Sequence, residues 1–170
     1  MTTRVNIEHI FNCSEDTFWE KLFFTEEYNR RLFLEALRFP SFNLATSEDR
    51  GDTIFRVVEV VPRLPDLPTA IKKVVGDNVA YREEGTFDKK TRRYKIRVVP
   101  SRLADKLSIA GELYTEPYGD NGCKRRFTAE VSASIFGIGG LLEKRIAEDL
   151  EKSYEVGARF TNSYVAEKGF

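Results

Sequence analysis

An α+β fold on a seven-stranded antiparallel sheet is the class that this 170-residue sequence predicts. Three observations carry it. A long, uninterrupted helical pattern closes the chain. Nearly every segment before it alternates apolar and polar residues at period two. Turn-rich breaks join most of those segments, as in hairpins. Strands with one apolar face need a cover, and the final helix and two short ones must supply it. The length suits one domain over residues 1–170.

Val5, Ile7, His9 and Phe11 alternate with Asn6, Glu8 and Ile10, which marks a half-buried opening strand. His9 falls on its apolar face, either as a core group bonded to backbone or as a polar group presented into a cavity. Ser14 then offers an N-cap, and Glu15 and Asp16 suit the positive end of a helix dipole. Phe18, Leu22 and Phe23, with Trp19 beside them, make a short amphipathic helix. Thr25 repeats the cap signal before Glu26 and Glu27. Tyr28, Leu32, Phe33, Ala36 and Leu37 make a second helix, which ends before Pro40.

Phe42, Leu44 and Thr46 alternate with Asn43 and Ala45. A polar turn from Ser47 to Asp52 leads into the β-branched run Thr53–Val61. That run contains Arg56 and Glu59, and a regular strand puts one of them on the side of the core; register decides which. Pro62 to Gly76 breaks the pattern. Pro68 starts and Gly76 stops two helical turns. Leu64, Leu67, Ile71 and Val74, with Val75, are a large apolar surface for a loop. They suit either a cluster tucked against the sheet edge or a movable lid at a cavity mouth. As a lid, the segment would bring Arg63, Lys72 and Lys73 to an anionic headgroup or into transient contact with a membrane surface.

Val79, Tyr81, Glu83 and Phe87 alternate in the next strand. Tyr94, Ile96 and Val98 alternate with Arg93, Lys95 and Arg97, giving one apolar face and one basic, solvated face. Leu107, Ile109, Gly111 and Leu113 alternate with Ser108, Ala110, Glu112 and Tyr114. After the turn at Pro117–Gly122, Phe127, Ala129, Val131, Ala133 and Ile135 face one way. Lys124, Arg126, Thr128, Glu130, Ser132 and Ser134 face the other.

The segment Gly137–Val165 places Ile138, Leu142, Ile146, Leu150, Ser153, Gly157, Phe160 and Tyr164 on one helix face. Glu143, Lys144, Glu148, Glu151, Lys152 and Glu155 fall mostly off it and are expected in solvent. The helix is about 40 Å long at ~1.5 Å per residue, enough to cross the domain. Ser153 and Gly157 thin its inner face, and Ala129 and Ala133 thin the strand opposite. Either the backbones pack closely there or the helix roofs a hollow.

Lys plus Arg and Asp plus Glu number 27 each, so the chain has no net charge and no basic stripe; no nucleic-acid partner is expected. No apolar run approaches the ~20 residues of a membrane span. MTTRVNIEHIF lacks the apolar core of a signal peptide, so a cytoplasmic location is expected. Cys13 and Cys123 lack metal spacing and His9 is the sole histidine; no metal and no other cofactor is expected. GIGG at Gly137–Gly140 lacks the lysine of a phosphate loop and reads as a strand-to-helix joint. No nucleophile motif is present, and no catalytic residue is assigned.

In element order and in three stretches the chain resembles the START-like, birch-pollen-allergen-like helix-grip superfamily, also called SRPBCC. The stretches are VNIEHIFNCSEDTFWEKL, VVEVVPRLPDLP and IFGIGGLLEKRIAEDLEKSYE. The likeness is strongest to a bacterial START-like domain of unknown function and spans nearly the whole length. It implies a curved seven-stranded sheet wrapped around the C-terminal helix, with two short helices after the first strand. It also implies an apolar cavity holding a hydrophobic small molecule such as a lipid, sterol or polyketide. The family's strand order would bring Cys13 and Cys123 together as reduced thiols. The turn from Glu48 to Asp52 has one glycine where the pollen-allergen branch has a glycine-rich loop. The iron–sulfur cysteines of the ring-hydroxylating branch are missing.

On that frame the ligand-binding wall is expected from Phe11, Phe18, Leu22, Val58, Ile96, Leu113, Phe127, Val131, Ile146, Leu150 and Phe160. His9, Tyr81 and either Arg56 or Glu59 would orient the ligand. Two other uses fit the same frame. A polyketide cyclase or dehydratase would take His9 as base and Tyr81 or Glu59 as proton donor. A protein-interaction or stress-adaptor domain would work through Pro62–Gly76. Oligomeric state has no signature in the sequence.

Overall fold

The computed structural model describes residues 1–170. Strand β1 (Thr3–Phe11) leads to α1 (Glu15–Thr17) and α2 (Glu26–Arg30), then to β2 (Ser41–Asp49) and β3 (Thr53–Val61). Helix α3 (Thr69–Val75) precedes β4 (Tyr81–Asp88), β5 (Arg93–Pro100), β6 (Leu107–Tyr118) and β7 (Gly122–Ala133). Helix α4 (Gly139–Lys168) closes the chain. The strands form one antiparallel sheet in the order β1-β7-β6-β5-β4-β3-β2. This is the α+β helix-grip architecture, with two short helical stretches after the first strand.

Ser14 caps α1, its Oγ accepting from the Thr17 amide at 3.2 Å. Two local details depart from expectation. α1 and α2 each widen into a π-helical stretch, Phe18–Phe23 and Arg31–Ala36. In the first, Phe18, Trp19 and Leu22 are all buried, more of the circumference than one narrow stripe provides. Thr25 does not cap α2 with its side chain. Its hydroxyl donates back to the Leu22 carbonyl at 2.9 Å. Asn29 closes the bend instead, donating to the carbonyls of Phe23 (2.8 Å) and Thr25 (2.7 Å).

Phe11 pairs with Cys123 across β1 and β7, so the end of the first strand lies beside the start of the last. Cys13 and Cys123 are buried free thiols. A hydrogen bond with Cys123 holds the Cys13 thiol below its ordinary pKa, and the same bond, with burial, pushes Cys123 up.

Helix α4 lies along β1 and β7. Ala129 of β7 and Ala147 and Ala158 of α4 are buried in the main core. The small residues therefore let helix and sheet approach closely at this edge. The hollow lies on the other side, under β3–β6 and the first half of β7. Glu143 also departs from expectation: it is 1% exposed, not solvated. Its carboxylate accepts from the Ala133 amide and from Thr3 Oγ1, both at 2.9 Å. It ties the start of α4 to the edge strand β1 and to its neighbour β7. Ile71 of α3 packs with Ala133 and Leu142 in a separate small cluster. No helix is long and apolar enough to cross a membrane.

Candidate functional site

Between α4 and strands β3–β7 lies a cavity of about 770 Å³. Of its 42 lining residues 25 are hydrophobic, which suits a mostly apolar occupant. Helix residues from Leu142 to Gly157 border it, a run of about 22 Å at ~1.5 Å per residue. The cavity arises because α4 sits over one edge of a curved sheet. Ile146, Leu150, Ser153 and Tyr154 are only half buried because one side of each faces this space.

Several expected wall residues line it: Phe18, Arg56, Tyr81, Ile96, Leu113, Phe127, Ile146 and Leu150. Leu64 and Leu67 border it from the loop before α3. Others lie elsewhere. Phe11, Leu22 and Val131 are fully buried in the main core. Val58 packs with Phe39, Phe42 and Val60 in a second cluster. Phe160 lies against Tyr28 and Tyr164. Ile71 is buried in its small cluster, and Val74 and His9 are outside the lining. Strand parity distinguishes inward from outward, but does not say whether an inward residue meets the helix or the hollow. Glu59 is the clearest correction. It is exposed on the outer face, accepting from Asn43 Nδ2 at 3.1 Å, and Arg56 is the inward member of the pair.

Arg56 is 4% exposed and its donors are well used. Nε donates to the Tyr94 hydroxyl at 3.2 Å, and Nη1 to the Phe23 carbonyl at 2.9 Å and Asn29 Oδ1 at 3.3 Å. Nη2 donates to Glu83 Oε1 at 3.2 Å. The guanidinium also lies 4.2 Å over the Phe23 ring. Burial works against its charge, but Tyr94 and Glu83 prevail and raise its pKa. Tyr94 reaches this position because β4 has Gly85 beneath it. A Cβ at residue 85 would come within 1.9 Å of the Tyr94 ring.

Arg125 of β7 is 7% exposed and lines the same cavity. Its surroundings differ. Nη2 contacts His9 Nδ1 at 3.2 Å and the Tyr154 carbonyl at 3.4 Å. The guanidinium lies 4.7 Å from the rings of both Phe11 and Tyr154. Nε is buried with no hydrogen-bond partner. No carboxylate forms an ion pair with it, and burial depresses its pKa. Burial, then Arg125, lowers the pKa of His9, while Glu155 opposes them. His9 therefore accepts from Arg125 as a neutral ring. Tyr154 stacks on Phe127 with ring centroids 4.4 Å apart. Burial pushes the hydroxyls of Tyr81, Tyr94 and Tyr154 well above the ordinary tyrosine range, so they stay protonated. No three His, Cys, Asp or Glu side chains converge to hold a metal ion.

At the cavity edge Arg145 of α4 clasps the loop before α3. It donates to the carbonyls of Pro65 (2.8 Å) and Asp66 (3.1 Å) and pairs with Asp149 at 2.9 Å. The loop is thus both a cavity border and a segment pinned to the helix. Arg125, Tyr154 and Asn29 are site residues that sequence reading missed. Arg125 had a signal, because it shares the parity of Phe127 on β7.

The family described as "Protein of unknown function (DUF2505)" matches residues 6–165, and the chain belongs to that family. No curated protein is detectably similar to it in sequence. Among solved structures, the Zhui aromatase/cyclase from Streptomyces sp. R1128 is 10% identical, with a TM-score of 0.70 over 100% of this chain and 97% of that one. Norcoclaurine synthase from Thalictrum flavum, in complex with dopamine and hydroxybenzaldehyde, is 14% identical, with a TM-score of 0.64 over 98% and 88%. A START superfamily protein from Mycobacterium smegmatis is 11% identical, with a TM-score of 0.60 over 96% and 97%. At these identities the likeness shows a shared START-like fold.

Proposed function

We propose that this member of the family binds a hydrophobic small molecule, of lipid, sterol or polyketide type, between the sheet and α4. The observation that carries the proposal is the cavity of about 770 Å³ with a mainly hydrophobic lining. Its size falls in the range of ligand pockets, and buried apolar ligand surface contributes roughly 25 cal/mol per Å². The wall residues are Phe18, Ile96, Leu113, Phe127, Ile146 and Leu150, with Arg56 and Tyr81 among the polar groups. The loop bearing Leu64 and Leu67 is the entry, held by Arg145. Exposed Phe136 and Leu141 lie just before and within the start of α4. Together with Lys72 and Lys73 of α3 they suit brief contact with a membrane during loading. The test is fluorescence titration with Nile red, a neutral apolar dye, on wild type and Ser153→Trp. Binding to wild type and loss in the filled variant support the proposal. Equal binding to both contradicts it.

A second reading is favoured by one observation. The Glu83 carboxylate and the protonated hydroxyls of Tyr81 and Tyr154 border the same cavity, and Glu83 adds to burial in raising the Tyr81 pKa. That arrangement supplies a base and proton donors for a cyclase- or dehydratase-type reaction. Incubation with a poly-β-ketoacyl thioester tests it. Loss of water from the substrate with wild type and none with Glu83→Gln supports the enzyme reading. No difference between the two removes it.

A further inference from the structure

We infer that the ligand carries a single carboxylate, and that Arg125 is the group that reads it. This rests on the cavity-binding reading above and names the chemistry of its polar end. The starting point is charge. A buried guanidinium is costly unless an anion and hydrogen-bond acceptors compensate it. Arg56 is compensated within the protein, by Glu83, Tyr94, Asn29 and a backbone carbonyl. Arg125 is 7% exposed, borders the same cavity, and has neither an ion-pair partner nor an acceptor for Nε.

The groups around Arg125 supply no negative charge. From β1 come His9, which accepts on Nδ1, and the Phe11 ring. From α4 come the Tyr154 ring and carbonyl. Glu155 is exposed and forms its ion pair with Arg159. The only protein acceptors are therefore two long contacts on Nη2, at 3.2 and 3.4 Å. Nη1 donates to no protein atom and is not among the buried unpaired atoms, so it is open on the cavity side.

The balance selects the ligand class. One uncompensated positive charge matches one negative charge. A phosphate dianion would need a second cation, and Arg56 is already committed to Glu83. Tyr154 lies against Arg125 and borders the same space, and its protonated hydroxyl is a further donor there. The rest of the wall is apolar. The fitting ligand is an amphiphile with its carboxylate on Arg125 and its apolar body running beneath α4 past Leu150 and Ile146 towards Leu142.

The experiment is displacement of Nile red by palmitate and by methyl palmitate, from wild type, Arg125→Met and Arg125→Lys. A charge-assisted hydrogen bond lost with the ester corresponds to roughly ten- to a hundredfold weaker binding. The expected result is that preference for palmitate in wild type, most of it kept in Arg125→Lys, and equal binding of acid and ester to Arg125→Met. Equal displacement by acid and ester from wild type overturns the carboxylate inference and leaves the cavity reading standing. A preference that survives in Arg125→Met overturns the role of Arg125. If Nile red and both lipids fail to bind wild type, the cavity reading itself falls and takes this inference with it. The wild-type comparison needs no variant, so a misfolded Arg125→Met does not remove the test.

Discussion

Two arginines border one cavity, and their surroundings are opposite. Arg56 spends its donors on Tyr94, Phe23, Asn29 and Glu83. Arg125 has two long contacts on one nitrogen and a buried Nε with none. The first is a structural knot, joining β3, β4 and β5 to the bend between the two short helices. The second is a charge left open towards the space that a ligand would fill. The pair teaches that burial of a charge does not by itself mark function; the state of its partners does.

The comparison breaks most easily in stability measurements. Arg56→Met should cost about 3–5 kcal/mol, because it removes a buried guanidinium's four hydrogen bonds and leaves the half-buried Glu83 without its ion-pair partner. Arg125→Met removes a poorly compensated charge and should stay within about 1 kcal/mol of wild type, or exceed it. Urea melts of the two variants check this. Equal losses would mean that Arg125 is also a structural knot.

A third buried charge sharpens the contrast. Glu143 makes two hydrogen bonds, to Ala133 N–H and Thr3 Oγ1, and borders no ligand space. Glu143→Ala should cost about 2–3 kcal/mol in the same melts and leave Nile red affinity unchanged. Next comes Gly85→Ala. Its Cβ would collide with the Tyr94 ring and push the hydroxyl away from Arg56. A loss of about 1–3 kcal/mol is expected from overpacking, read as a lower urea midpoint. No loss would mean that Tyr94 relaxes freely and does little to hold Arg56.

The smallest effect is that of pH. Burial and then Arg125 hold the His9 pKa below its ordinary 6.5, with Glu155 opposing. The folded protein therefore takes up this proton less readily than the unfolded chain. The His9 contribution to stability is present above pH 6.5 and is lost as pH falls towards the lowered folded-state pKa. Melting temperature should fall slightly as pH drops from 6.5 towards the folded-state pKa, and His9→Gln should flatten this part of the profile. An unchanged profile would mean that His9 is not held neutral by its surroundings.

Most of the architecture was legible because it rests on local periodicity. Period-two alternation located the strands, and the face from Leu142 to Tyr164 located the long helix. The Arg56–Glu59 ambiguity was real in the sequence; pairing of β3 with β2 and β4 resolves it. Glu143 was not legible. It follows Leu142 in the helix, and only the long-range return of β1 and β7 buries it. Arg125 was legible by parity with Phe127 but is easily passed over when strand residues are sorted by polarity first. His9, Phe11 and Val131 were placed on the inner face correctly, yet the inner face of β1 and of β7 around Ala129 and Val131 is covered by side chains and helix. Where α4 sits across the sheet is a tertiary fact that no local pattern records.

The claim that the hollow is a ligand site is tested most directly by native mass spectrometry of the purified protein, before and after incubation with palmitate. The cavity reading predicts one discrete apolar adduct, either carried through purification or acquired on incubation. A bare chain mass under both conditions, with no Nile red binding, would contradict it and mean that the interior closes in solution.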